Sequence, residues 1–374
     1  MNHIVIIGAG YAGLTAALRL SRKAGPSTSI TLLNPSGTFV ERIRLHEDAA
    51  GRGPRRHVIA RWLEGTRVKF VERRVDRVDT VKREVFAGDQ RLPYDALVLA
   101  TGSMTDTSFP GVAQHALTVE RFGALPKTGS VVIVGGGLTA IELATELKEA
   151  SPAREVMLVS RGGFMTGFSP AAQTYTRTVL QRLGVACREH TAVERVEAHV
   201  LHTASGPIPF DACMWTAGFR ASPLPAGLEL PLNAQGRVKV DAFQRATPEV
   251  WVIGDAAEVD GRYPVPMGCK AAAPAAASAV DNLLRVQKGA PLQPFDYFAA
   301  GYCVSLGRRE GFVQLAREDG SLQGAVIRGR VGAFVKELIC RFTLWSLWLE
   351  KNGLSNYAAF KPRQPPSLPS KATA

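Results

Sequence analysis

No cysteine precedes Cys187, and the five present (Cys187, Cys213, Cys269, Cys303 and Cys340) are scattered, the closest pair 26 positions apart. There is no C-x-x-C and no Cys/His spacing of a zinc site. That argues against a resident metal and against a cysteine-pair relay, and predicts reduced thiols. Long uncharged apolar runs are also missing, so no stretch is expected to span a bilayer. Met1-Asn2-His3 leads straight into an apolar segment with no basic n-region and no cleavage site, which sets the expectation of a cytoplasmic protein without a secretory signal. Basic blocks interleaved with aromatics are lacking too. The 45 Lys and Arg against 33 Asp and Glu are spread along the chain, and nucleic acid is not an expected partner. Their formal net charge of +12 leaves three readings open: capture of anionic nucleotides, attraction to an anionic membrane surface, or a generic solvated surface. With 46% hydrophobic and 21% charged residues, neither disorder nor a fibrous fold is required. A length of 374 residues suggests two or three domains.

Two glycine fingerprints carry most of the information. GAGYAG at Gly8–Gly13 follows the apolar run Ile4–Ile7, and GGGLTA at Gly135–Ala140 follows Val131–Val134. Each reads as buried strand, tight turn and helix, Leu14–Leu20 in the first case and Ile141–Leu147 in the second. The first glycine makes the turn and the second lets the backbone approach a pyrophosphate. The third, small position lets helix and strand pack closely, and the helix N-terminus faces the phosphate charge. One such hexapeptide is a weak signal. Two imply two dinucleotides, and hence electrons passed between them.

Both halves continue alike. Ser29–Leu33 predicts a second parallel strand ending at Asn34, where an acidic residue normally binds an adenosine ribose; Asn34 keeps the hydrogen bond without the charge. Val68–Val85 reads as two or three short strands, and Tyr94–Ala100 as a buried strand before Thr101-Gly102. In the second half Glu155–Val159 is a strand ending at Ser160-Arg161. Strand-like stretches around Val193–Val200 and Ala212–Thr216 lead to Ala217-Gly218. Pro248–Ile253 reads as a buried strand with Gly254-Asp255 at its carboxyl end, followed by an alanine-rich helix from about Ala271 to Leu284. An aspartate at that end of a parallel strand faces the ligand crevice or caps the next helix.

GAGYAG, LVLATG at Leu97–Gly102, GGGLTA with IELATEL, TAG at Thr216–Gly218 and VIGDAA at Val252–Ala257 together resemble the two-dinucleotide-binding flavoprotein oxidoreductases, the glutathione-reductase-like superfamily. The resemblance covers roughly Met1–Leu284. It implies an α/β fold of two Rossmann-like domains, the second inserted in the first, with a small α+β region after them. The expected boundaries are 1–109 with 223–291 for FAD, 110–222 for NADH or NADPH, 292–360 for the C-terminal region and 361–374 for a Pro/Ser-rich disordered tail. FAD is then expected at Gly8, Gly10, Tyr11, Ala12, Gly13, Asn34, Thr101, Gly102, Gly254 and Asp255, with Val75 backing the adenine and the resemblance implying that Asp255 holds the flavin's ribityl chain. The nicotinamide nucleotide is expected at Gly135, Gly137, Leu138, Ala140, Ser160, Arg161 and Gly218.

Within that superfamily, FVERIRLHE at Phe39–Glu47, PMGCKAAAP at Pro266–Pro274 and the segment Gly329–Glu337 look like type II NADH dehydrogenases and related quinone reductases. The quinone-site pattern AQxAxQ of those enzymes aligns with Cys269-Lys270-Ala271-Ala272-Ala273-Pro274, and both glutamines are gone. Lys270 reads either as a charge beside the acceptor or flavin pyrimidine, or as a solvated helix residue. Glu142 aligns with a glutamate lying between nicotinamide and flavin, and alternatively is an ordinary early-helix carboxylate favoured by the dipole. Arg42 and His46 approach the FAD or lie on the surface. Cys269 reads as packing.

Val331–Glu350 forms a helix whose apolar residues lie nearly all around, while Lys336, Glu337 and Arg341 prevent a true span. Its cover is the protein body, a homodimer partner, or a membrane on which the helix lies peripherally. The expected activity is hydride transfer from NAD(P)H to FAD, then delivery of electrons, without a redox disulfide, to a quinone-like acceptor. One alternative is a reductase passing electrons to a ferredoxin-like or monooxygenase partner. Another is a nucleotide sensor without turnover. Ser160-Arg161 in place of a carboxylate predicts use of both NADH and NADPH.

Overall fold

A computed structural model of the chain describes residues 2–53, 55–123, 125, 128–261, 265–318 and 320–357. The 361–374 tail lies outside them. Two parallel sheets organise the molecule. The first runs in the order Val250–Val252, Ala96–Leu99, His3–Ile7, Ser29–Asn34, Val68–Glu72. Its inner strands are apolar at successive positions, not alternating ones, because both faces are covered. Ile4 and Ile6 pack under helices and Val5 and Ile7 under the antiparallel strands that carry Val78 and Val85, and Ile4, Val5 and Ile6 are all completely buried. Helix α1 (Tyr11–Lys23) and a later helix (Cys269–Gln287) pack together on one face. Small residues permit the close approach, Ala16 and Ala17 on one helix and Ala276 and Ala279 on the other, and all four are buried.

The second sheet repeats the plan in the order Ala186–Arg188, Glu155–Val159, Ser130–Val134, Ala212–Trp215, again all parallel. It is flanked by α2 (Leu138–Ala150) and α3 (Pro170–Leu183). The second of these begins on a Ser169 cap with Pro170 behind it, and ends at Gly184 in the left-handed conformation. Each unit carries an antiparallel meander, Arg77–Asp79/Glu84–Ala87/Gln90–Pro93 in the first and Val193–Glu197/Val200–Thr203/Gly206–Pro209 in the second. The stretch expected as one strand around Val193–Val200 is therefore a hairpin, turned at Ala198-His199, where His199 has φ 61°. An antiparallel pair, Ser103–Thr105 with Phe219–Ala221, carries the chain out of and back into the first unit.

A third sheet, Gly301–Ser305/Gly311–Ala316/Leu322–Arg328, lies against α4 (Arg330–Lys351). The expectation of an all-round apolar helix needs correction. Its inward face includes Lys336, Cys340, Leu347 and Glu350, whereas Phe334, Leu338, Phe342, Trp345 and Trp348 point outward and are 43–67% exposed. Its buried C-terminal end is pinned by charge: Arg19 Nη1 donates to Glu350 Oε1 at 3.0 Å, while Arg19 Nη2 donates to Asp281 Oδ2 of helix Cys269–Gln287 at 2.7 Å. Among the described residues no helix is long and apolar enough to cross a membrane.

Candidate functional site

The first fingerprint turns where the resemblance places it. Gly8 has φ +102°, and a Cβ on Gly13 would run into the Gly8 carbonyl oxygen, so the strand–helix contact requires glycine. Gly10 caps α1 without any side-chain bond, which leaves the helix's first N–H groups for an anion. Asn34 folds back on this turn: its Oδ1 accepts from Ala9 N at 3.0 Å and its Nδ2 donates to the Ser36 carbonyl at 2.7 Å. Thr101 follows the neighbouring strand, and its hydroxyl is closed off from solvent with no hydrogen-bond partner. Asp255 follows the next strand over. It accepts from Ser103 Oγ at 2.6 Å and from Gly268 N at 2.7 Å, so it anchors the entry to helix Cys269–Gln287 as well as facing the crevice. Three carboxyl strand ends thus meet at one cradle, and the orphaned Thr101 hydroxyl and the glycine-walled turn fit a dinucleotide there. Val75 is half-buried beside that sheet. Arg42 pairs with Glu120 at 2.9 Å and is exposed. His46 is buried, so a surface placement is excluded for it.

The second fingerprint is built alike. Gly135 has φ +147°, Gly137 caps α2 with no side-chain bond, and Leu138 opens the helix, with Ala140 buried behind it. Ser160 is buried and Arg161 exposed at the end of the adjoining strand. Gly218, with φ +84°, lies on the linker pair, where its carbonyl accepts from Asp106 N at 3.0 Å.

Elements from both units and from the C-terminal region converge at a buried polar cluster. Glu142 Oε1 pairs with Lys336 Nζ at 2.9 Å and accepts from Ser305 N at 2.9 Å; its Oε2 stands 3.9 Å from His46 Nδ1. Burial pushes the Glu142 carboxyl up, but Lys336, His46 and the Ser305 amide outweigh it and hold the pKa below the ordinary glutamate value. Burial opposes the Lys336 charge, and Glu142 more than restores it, so that its pKa is raised. For His46 burial dominates and lowers the pKa below the ordinary histidine value, against the pull of Glu142. Glu142 is therefore a paired, ionised, desolvated carboxylate and not an ordinary solvated one. Lys336 is the residue that sequence reasoning missed in this role. Its signal was there, a lysine one turn before Cys340 on a segment otherwise apolar, but the opposing glutamate is almost two hundred residues away in the chain.

Lys270 is not solvated either. Its ammonium lies 3.3 Å from the centroid of the Tyr302 ring and 3.4 Å from the Gly301 carbonyl, and burial lowers its pKa to about 8. Cys269 beside it is half-buried against the core, as the packing reading expects, and burial pushes its thiol up to about 11. All five cysteines are free. Among the described residues no group of His, Cys, Asp and Glu is placed to hold a metal ion.

The profile of the pyridine nucleotide-disulphide oxidoreductases matches residues 2–278, and the chain belongs to that family; it is an oxidoreductase. It is 24% identical over 398 residues to the type II NADH:quinone oxidoreductase of Staphylococcus epidermidis, covering 92% of this chain and 95% of that one. Its fold is similar to that of the sulfide:quinone oxidoreductase from Aquifex aeolicus, with TM-score 0.79 and 16% identity over 96% and 93% of the two chains. The ferredoxin reductase for the CYP199A2 system of Rhodopseudomonas palustris aligns with TM-score 0.72 and 18% identity, over 84% and 82%.

Proposed function

We propose that the chain is an FAD-dependent oxidoreductase that takes hydride from NAD(P)H and delivers electrons directly to a quinone-like acceptor. The observation that carries this reading is the Glu142–Lys336 pair, buried where both fingerprint units and the C-terminal sheet meet. FAD would be held by Gly8, Gly10, Tyr11, Ala12, Gly13, Arg42, Thr101, Gly102, Gly254 and Asp255, with Asn34 and Val75 at its adenosine side. It supplies, when bound, a ring that accepts hydride and passes the electrons on. Gly135, Gly137, Leu138, Ala140, Ser160, Arg161 and Gly218 bind the nicotinamide nucleotide. On this reading the FAD unit comprises 1–109 and 223–291, the nucleotide unit 110–222 and the C-terminal region 292–360.

The protein's own contribution is orientation and a dry, fixed electrostatic field. Glu142 keeps a negative charge at the junction, aligns the nicotinamide carboxamide, and is itself held in place by the Lys336 ammonium and Ser305 amide. Lys270 presents a cation balanced by no carboxylate within 4 Å among the described residues, which suits an electron-rich acceptor oxygen. The outward stripe of α4 (Phe334, Leu338, Phe342, Trp345, Trp348), near the exposed Arg328 and Arg330, suits peripheral contact with the anionic inner face of a membrane from the cytoplasm, where a lipid-soluble acceptor resides. A homodimer through 331–350 is the competing cover. A second reading, delivery to an acidic ferredoxin-like partner, is favoured by the net charge of +12.

Anaerobic stopped-flow tests the proposal. Mixing with NADH or NADPH should bleach the bound chromophore in a single fast phase, and a quinone should restore it over many turnovers. Restoration only on adding a ferredoxin-like protein would select the second reading. Failure to bleach with either nucleotide would overturn both.

A further inference from the structure

We infer that the adenosine end of the second nucleotide site is built for a 2′-phosphate, making NADPH the preferred donor over NADH. The inference rests on the reading of residues 110–222 as the nicotinamide nucleotide unit.

A dinucleotide whose pyrophosphate lies on the Gly135–Gly137 turn sets its adenosine ribose at the end of the adjoining strand, Glu155–Val159. A short loop wraps back there. Ser160 N donates to the Arg188 carbonyl at 2.9 Å, Thr191 N donates to the Ser160 carbonyl at 2.9 Å, and Met165 N donates to the Gly136 carbonyl at 2.9 Å. Ser160 Oγ stands so close to Gly136 that a Cβ there would collide with it. The site is therefore walled by 160–165 on one side and 188–191 on the other.

Discrimination between the two donors is decided by charge at this point. A 2′,3′-diol is best held by a carboxylate, which repels a 2′-phosphate; an arginine does the reverse. Between Ser160 and His190 the chain has one carboxylate, Glu189. It is already committed: Arg177 holds it in a fork, Nη2 at 2.7 Å from Oε1 and Nε at 3.0 Å from Oε2, and Phe164 N donates to Oε1 at 2.5 Å. No acid is left for the diol. Arg161 and Arg188, by contrast, are both exposed at the loop, and neither enters an ion pair among the described residues. The backbone bond between Ser160 and Arg188 places these cations on adjacent strand ends, one to either side of a phosphate. The diol of NADH gains nothing from either.

Calorimetric titration of the purified full-length protein with adenosine 2′,5′-bisphosphate and with 5′-AMP tests this without any acceptor or turnover. The bisphosphate should bind at least about tenfold more tightly, the worth of one charge-assisted hydrogen bond. In the Arg161→Ala/Arg188→Ala double variant that advantage should collapse towards parity. Ser160→Glu, which leaves both arginines and adds a repelling carboxylate, should invert the preference in binding and in the NADPH:NADH ratio of kcat/KM. Equal binding of the two nucleotides by the wild type, or an advantage that survives in the double variant, overturns the inference. Equal binding together with normal bleaching by NADH overturns it and leaves the proposed function standing. A clear bisphosphate preference in a protein that NADPH does not bleach upholds the site and overturns the proposed function.

Discussion

Asp255 carries two duties that a single substitution separates. Its carboxylate ties Ser103 and the Gly268 amide, and on the proposed reading also holds the FAD ribityl chain. Asp255→Ala should lower FAD occupancy after gel filtration and weaken its binding by roughly ten- to a hundredfold. Ser103→Ala removes one internal bond, keeps the carboxylate and should retain the cofactor. If both variants keep wild-type FAD content, the ribityl role is wrong. Lys336 offers a sharper test because its partner is buried with it. Lys336→Met leaves Glu142 as an uncompensated buried charge, a loss on the order of 3–5 kcal/mol in chemical denaturation. The sign with pH follows from the depressed Glu142 value. In the wild type the pair stabilises above the ordinary glutamate range and is lost as pH falls through the lowered pKa. In the variant the carboxyl titrates higher, so the acid loss of nicotinamide affinity should move towards neutrality. Glu142→Gln/Lys336→Met should recover much of the stability and none of that pH dependence.

At the level of elements, α4 divides its labour between faces. Inward, Lys336 and Glu350 meet charges on other segments, and Leu347 fills the main core. Outward, the stripe from Phe334 to Trp348 is left 43–67% exposed among the described residues. Phe334→Ser/Trp345→Ser alters side chains that are 67% and 55% exposed, so unfolding should shift by no more than about 1 kcal/mol. Co-sedimentation with anionic phospholipid vesicles should fall severalfold, while turnover of a water-soluble quinone stays unchanged. Undiminished sedimentation would remove the membrane reading. A concentration-dependent dimer that these changes dissolve would replace it.

At the scale of the whole molecule, one buried network binds the segment 44–56, α2 and the C-terminal sheet together. Arg308 reaches Glu47 at 2.7 Å and Glu146 at 3.2 Å, while Arg52 reaches Glu146 at 3.3 Å and Glu149 at 3.7 Å. Burial outweighs these partners for Glu146 and raises its pKa to about 7. The folded state therefore holds a proton that the unfolded chain gives up near 4.5, so stability declines as pH rises from there through about 7. The cost above neutrality is at most on the order of 3 kcal/mol. Glu146→Gln abolishes this titration. The Tm of the variant relative to wild type should climb between pH 5 and pH 8, and a constant difference across that range would show that Arg52 and Arg308 keep the carboxylate ionised throughout.

Much of this was legible in the chain itself. Both fingerprints announced their turns because Gly8, Gly13 and Gly135 answer local demands, a left-handed backbone or a close helix–strand approach, that no tertiary partner can relax. The successive apolar residues of Ile4–Ile7 and Val131–Val134 announced parallel strands covered on both faces, since that burial pattern belongs to the strand and not to its neighbours. What tertiary structure alone decided was the pairing of charges. Lys336 looked like an obstacle in an apolar helix and is the counter-ion of Glu142; Lys270 was equally readable as solvated and lies on Tyr302. A buried charge is tolerable only beside its partner, and here each partner comes from a distant segment, so the distance that decides its role exists only after folding.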